Sequence, residues 1–123
     1  MRAEIRNYTK GTLVAASARI ADSFVGRLVG LLGHTAVQSG GGMWLVPSNS
    51  IHTIGMLFAI DVVMLSENGR VVGFRERVRP FSIVWPIFRA RSVLELPANT
   101  VSATRTEVGD LLQIEIVRAP ESE

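Results

Sequence analysis

Polar and apolar positions alternate from the first residue, with Met1, Ala3 and Ile5 set against Arg2, Glu4 and Arg6. A period of two predicts a strand with one buried face. Thr9-Lys10-Gly11 offers a turn, and Thr12 to Ile20 resumes as a second β-type run, so the chain should open with a hairpin. The period then lengthens. Phe24, Leu28, Leu31 and Leu32 recur at helical spacing, behind an N-cap at Asp22 or Ser23 and ahead of a C-cap at Gly33. Gly26 and Gly30 lower the intrinsic helix propensity, so packing on a sheet must hold this short helix.

After the Ser39–Gly42 loop, Met43-Trp44-Leu45-Val46 forms a short apolar run limited by Pro47. Ile60 to Leu65 contains five apolar residues and one Asp, the composition of a strand covered on both faces. Asn68-Gly69 between that run and Val71-Val72 is the strongest hairpin signal in the chain. Beyond it, Phe74, Glu76 and Val78 should share one face and Arg75, Arg77 and Arg79 the other. Pro80 and Pro86 bracket an apolar segment, Phe81 to Trp85, that reads as a lid or a packed crossover. Val93-Leu94-Glu95-Leu96 is a buried strand stopped by Pro97, Asn99 suits a left-handed turn, and a helical turn follows at Val101–Thr106. Val108-Gly109-Asp110 turns the chain into a last strand, Leu111 to Val117.

About seven short strands with one or two short helices, without regular strand–helix alternation, predict a β-rich α+β domain: a mostly antiparallel barrel or sandwich. A chain of 123 residues is one domain, here 1–118, with 119–123 as a frayed tail. Hydrophobic residues make up 47% of it and charged residues 20%, so it can bury a core. No apolar run reaches the roughly 18 residues of a membrane-spanning helix, and the N-terminus lacks the apolar stretch of a secretory signal. A cytoplasmic location without a membrane segment is the expectation. With no cysteine, disulfides, thiolate metal sites and cysteine nucleophiles are excluded.

Ser48, Asn49, Ser50, His52 and Thr53 form a polar cluster between apolar runs, with Asp61 eight or nine residues on and Glu95 in a distant apolar strand. Carboxylates in such runs are costly to bury alone, so Asp61 and Glu95 each require a partner, from His52, Arg27, Thr53 or backbone amides. They either tie loops to strands or face a ligand. His52 alone in this cluster titrates near neutrality and is the acid–base candidate, though a single histidine is more often a hydrogen-bonded core residue. A Ser50–His52–Asp61 triad has no nucleophile elbow beside it. A metal held by His52, Asp61 and Glu95 would be a sparse site, and no metal or cofactor is expected. Walker and dinucleotide-binding loops are absent. Arg75, Arg77 and Arg79 suit an anionic partner or a solvated face, and without exposed aromatics or a known module nucleic acid is not expected as the partner.

Ile51-His52-Thr53-Ile54-Gly55-Met56 followed by Ile60-Asp61 resembles the domain-of-unknown-function 192 family. Arg27, Gly30-Leu31-Leu32-Gly33, Gly42-Met43, Asn68-Gly69, Pro80, Val93-Leu94-Glu95-Leu96-Pro97 and Gly109-Asp110 follow in the family's order, across residues 12 to 116. Asn99 departs from the usual Gly but tolerates the same left-handed geometry. The resemblance implies a compact β-rich fold and no established activity, substrate or cofactor; many relatives carry an export signal. Its motif makes Arg27, His52, Thr53, Met56, Asp61 and Glu95 the candidate site residues, to which the polar cluster adds Ser50. The expected function is a non-enzymatic binding module for a small polar ligand or a peptide, with its pocket near His52, Asp61 and Glu95. The alternatives are a small hydrolase or metal-dependent enzyme using His52 with those carboxylates, and an interaction domain docking through the Arg75/Arg77/Arg79 face.

Overall fold

The computed structural model describes residues 1–22, 40–49, 51–52, 58–84 and 86–117. The helix expected before Gly33, Trp85 and the tail from 119 lie outside them. β1 (Arg2–Asn7) and β2 (Thr12–Ala21) form the opening hairpin, followed by β3 (Met43–Leu45) and a two-residue β4 (Ile51–His52). Next come β5 (Ile60–Leu65), β6 (Val71–Val78), a two-residue β7 (Ile83–Val84) and β8 (Ser92–Pro97). Helix α1 (Thr100–Thr104) and β9 (Leu112–Val117) complete the described chain.

Seven of these strands make one sheet in the order β6-β5-β8-β3-β2-β1-β9, and β4 pairs with β7 separately. All its pairings are antiparallel except that of β2 with β3. The β-rich α+β reading is therefore correct, but the sheet does not close into a barrel. Its edge strands meet at one end only, through an isolated bridge between Arg70 and Leu111. Beyond that bridge β6 and β9 carry exposed Arg75, Glu76 and Glu115, and each remains an edge.

Both faces of the sheet are covered, as the nearly continuous apolar character of β5 requires. On one face Met43, Leu45, Ile60, Val62, Met64 and Val93 pack with Val84 of β7 and Ala90. On the other, Ile5, Ala15, Val63, Leu65, Leu94 and Leu96 pack with Val101 of α1. Burying each such Val, Leu or Ile contributes about 1.5–3 kcal/mol, so these alternating layers dominate the fold's stability. Within the Pro-bounded segment Val84 packs on the first cluster, and Ile87 and Ala90 just beyond Pro86 do the same, so the chain crosses the sheet here.

The Asn68-Gly69 hairpin forms as expected, with Gly69 at φ 85°. A Cβ there would sit 2.7 Å from the Leu112 carbonyl oxygen, so glycine also allows β9 to approach. Nearby, a buried network joins the two ends of the chain. Asn7 Nδ2 donates to Asp110 (2.9 Å) and Thr106 (3.2 Å), while Lys10 Nζ donates to Asp110 (2.8 Å). Lys10 also pairs with Glu107 at 2.8 Å. Burial pushes the Asp110 carboxyl up, but hydrogen bonds from Asn7, Lys10 and the Glu107 amide overcome it and hold the group below its ordinary 3.8. Hydrogen bonds to Asp110 and then Glu107 raise Lys10 above 10.5.

A folded-state carboxyl held low stabilises the protein fully above 3.8, and this contribution is lost as pH falls through the lowered value. Urea unfolding at neutral pH and in steps below 3.8 should show stability falling in the wild type. Asp110→Asn should be weaker at neutral pH and less steep in acid.

Candidate functional site

The two carboxylates that the sequence nominates lie on adjacent strands, and register decides whether they can meet. Asp61 stands opposite Leu96, whereas Glu95 stands opposite Val62 and Met43. Side chains alternate across a strand, so a one-residue offset puts Asp61 on the face of Val63 and Leu96, and Glu95 on the face of Val62 and Met43. The sheet separates them. Strand β4, which carries His52, lies on the Glu95 side, because its partner β7 sends Val84 into that cluster. The side chain of His52, like Arg27, Ser50, Thr53 and Met56, is outside the described residues.

Asp61 is fully buried and both its oxygens are engaged. Oδ1 accepts the backbone N–H of Arg77 (2.9 Å), and Oδ2 accepts that of Val101 (2.9 Å). Each bond has a local cause. Glu76 and Arg77 together oppose Asp61, a β-bulge in which Arg77 adopts φ 49° and turns its amide toward β5. At α1, Asn99 occupies the N-cap with φ 76° but makes no side-chain cap bond; its Oδ1 accepts Arg77 Nη1 instead (3.2 Å). A carboxylate 40 residues earlier therefore caps the helix, where an anion also meets the positive end of the backbone dipole. Glu95 is buried too, and it keeps an interaction of its own.

The bulge also changes the arginine row. Arg75 pairs with Val62 and Val78 with Ile60, so these two share a face that simple alternation assigns to opposite sides. Arg75, Arg77 and Arg79 are all exposed, but they do not form one row.

A different concavity lies at the far end of β5 from Asp61. A cavity of about 400 Å³ is lined by Trp44, Pro47, Leu65 and Ile114, with Ser66, Ser92, Glu67 and Arg91 at its polar parts. This volume falls within the range of small-molecule sites. Arg91 is anchored by Nη1 bonds to the carbonyls of Phe88 (3.0 Å) and Ala90 (3.1 Å), and among the described residues no carboxylate pairs with it. The Trp44 Nε1 atom is buried without a hydrogen-bond acceptor. The sequence shows Trp44 only as part of a short apolar run and gives Arg91 no part, because neither belongs to a motif. Their only signal is positional, Trp44 lying in a short strand just before Pro47 and Arg91 directly before β8. Among the described residues no group of three His, Asp or Glu could hold a metal, and no helix is long and apolar enough to cross a membrane.

Comparison with known proteins places this arrangement. The model of DUF192, described as "Uncharacterized ACR", matches residues 5–114. The chain belongs to the DUF192 family. It is 31% identical over 115 residues to the UPF0127 protein of Thermococcus sibiricus, covering 89% of this chain and 73% of that protein. It is 32% identical over 114 residues to UPF0127 protein PH1112 of Pyrococcus horikoshii, covering 89% and 96%. A crystal structure of a protein of unknown function from Novosphingobium aromaticivorans shares the fold, with a TM-score of 0.79 at 15% identity, covering 92% of this chain and 84% of that one. A crystal structure described as that of a "putative transcription regulator" from Sinorhizobium meliloti gives 0.77 at 20% identity and 92% coverage of each. In this DUF192 chain Asp61 thus sits at a structural junction.

That junction uses the backbone of Arg77 and not its charge. Arg77→Gly, which removes the side chain and suits φ 49°, should leave stability within about 1 kcal/mol of wild type in urea unfolding. A larger loss would mean that the guanidinium bond to Asn99 carries the corner.

Proposed function

We propose that this DUF192 domain is a non-catalytic binding module and that the cavity beside Trp44 and Arg91 takes a small ligand with a flat apolar body and an anionic end. The observation that carries this reading is the lining itself: apolar walls from Trp44, Pro47, Leu65 and Ile114 stand with one guanidinium, Arg91, anchored by its own loop, and one acid, Glu67. Apolar walls supply burial and a few convergent polar groups fix orientation, the usual division of labour in such sites. Arg91 can meet a carboxylate or phosphate with its remaining N–H groups. This location differs from the expected pocket at His52, Asp61 and Glu95, because both Asp61 oxygens already accept backbone amides and Glu95 lies across the sheet.

For hydrolysis by His52 with Asp61 or Glu95 orienting it, Asp61 would need an oxygen to spare, whereas both already accept backbone amides. A metal held by His52 and both carboxylates would need the two acids on one face. The register of β5 and β8 favours the binding reading over that one.

Ligand-observed NMR with a panel of aromatic carboxylates should find binders at the cavity. Arg91→Ala should weaken them about tenfold or more, the usual worth of a charge-assisted hydrogen bond. Ile114→Trp, which fills the cavity, should abolish binding while the fold persists. Binders indifferent to both substitutions, or none in the panel, would remove this site.

A further inference from the structure

The crossover from Arg79 to Arg91 has two unlike sides. Val84, Ile87 and Ala90 lock it onto the sheet. Away from that contact Phe81 is 72% exposed, Ile83 56% and Phe88 89%. Since the inner residues face the sheet, these three look outward from the same strap. Both phenylalanines stand at turns. Pro80 and Phe81 form one and Phe88 and Arg89 the other, the latter closed by the Ala90 N–H on the Ile87 carbonyl (2.9 Å).

Phe81 has φ 60°, in the left-handed region normally filled by Gly or Asn at such a position. A bulky residue there is strained, and packing among the described residues does little to offset it, because the residue is largely in solvent. Charge follows the same strap. Between Glu76 and Glu95 there is no acidic residue, and within the strap Arg79 and Arg89 stand within two residues of the exposed rings. Phe88 therefore has Arg89 beside it in the same turn, and Arg79 directly precedes the turn of Phe81.

We propose that the outer side of this strap docks on an anionic phospholipid bilayer. Rings at turn apices can enter the headgroup–acyl boundary singly, whereas a protein partner would have to offer a separate pocket for each. Arginines flanking them meet lipid phosphates at the same depth, and each basic group near an anionic leaflet adds to the attraction. Ring insertion and phosphate pairing complement each other, so neither neutral vesicles nor charge alone should suffice. This surface is separate from the Trp44 cavity, and its use does not depend on a ligand there.

The test is flotation of the full chain with vesicles of phosphatidylcholine alone or mixed equally with phosphatidylglycerol. The chain should float with the mixed vesicles, should not float with the neutral ones, and should dissociate in high salt. Phe81→Ser with Phe88→Ser should lower the bound fraction about tenfold at an unchanged melting temperature. Phe88→Ser alone should lower it about threefold, should the double variant fold poorly. Tyr8→Ser, at an exposed aromatic on the opening hairpin, should bind as wild type. Failure of the folded wild type to float, or flotation undiminished in the Phe variants, would overturn the proposal. Retention on a polyglutamate resin without flotation would overturn it equally and assign the face to an acidic protein.

Discussion

One carboxylate fixes how the parts of this fold meet. Asp61 lies in a fully buried strand, where an ion with no partner would be prohibitively costly. Its two oxygens accept one amide from the bulge in β6 and one from the start of α1. The bulge interrupts the pairing of β5 with β6, which resumes at Ile60 and Val78, and the helix covers the end of the second cluster with Val101. Neither feature has another cap: Asn99 offers no side-chain bond to its helix, and Arg77 holds a left-handed conformation that only its surroundings can maintain. Satisfying the carboxylate and shaping the corner are one event.

The strands themselves were legible because burial repeats every second residue and turns carry Gly, Asn or Pro. Ile60 to Leu65 read as doubly covered because five of its six residues are apolar, and it is covered on both faces. Asn68-Gly69 read as a hairpin because few other pairs accept its backbone, and the close approach of Leu112 adds a second demand for glycine. Register was not legible. Asp61 and Glu95 sit in runs of the same appearance, and only the pairing of Asp61 with Leu96 reveals that they face opposite ways. A bulge is equally silent in sequence: Arg75, Arg77 and Arg79 alternate in the chain, but the residue inserted opposite Asp61 breaks the alternation in space. Nor did Lys10, read only as part of a turn, or Asn7 announce their bonds to Asp110 about a hundred residues away.

These misreadings share a cause. Patterns within a segment are set by short-range sterics and solvent, whereas the chemistry of a site depends on which segments become neighbours. The open sheet leaves its functional opportunities away from the buried acids: a cavity at one end, walled by Trp44 and bordered by Arg91, and a crossover whose inner side is core and whose outer side is aromatic and basic. Both follow from covering a seven-stranded sheet on two faces without closing it.

The most direct measurement is urea unfolding of Asp61→Asn, combined with amide hydrogen exchange at Arg77 and Val101. Asparagine has one carbonyl oxygen for two buried amides and sets its own N–H₂ against the second. A structural Asp61 predicts a loss of about 2–4 kcal/mol and faster exchange at both amides. Stability within about 0.5 kcal/mol of wild type, with exchange unchanged, would contradict the account and return Asp61 to the candidates for a ligand-facing role.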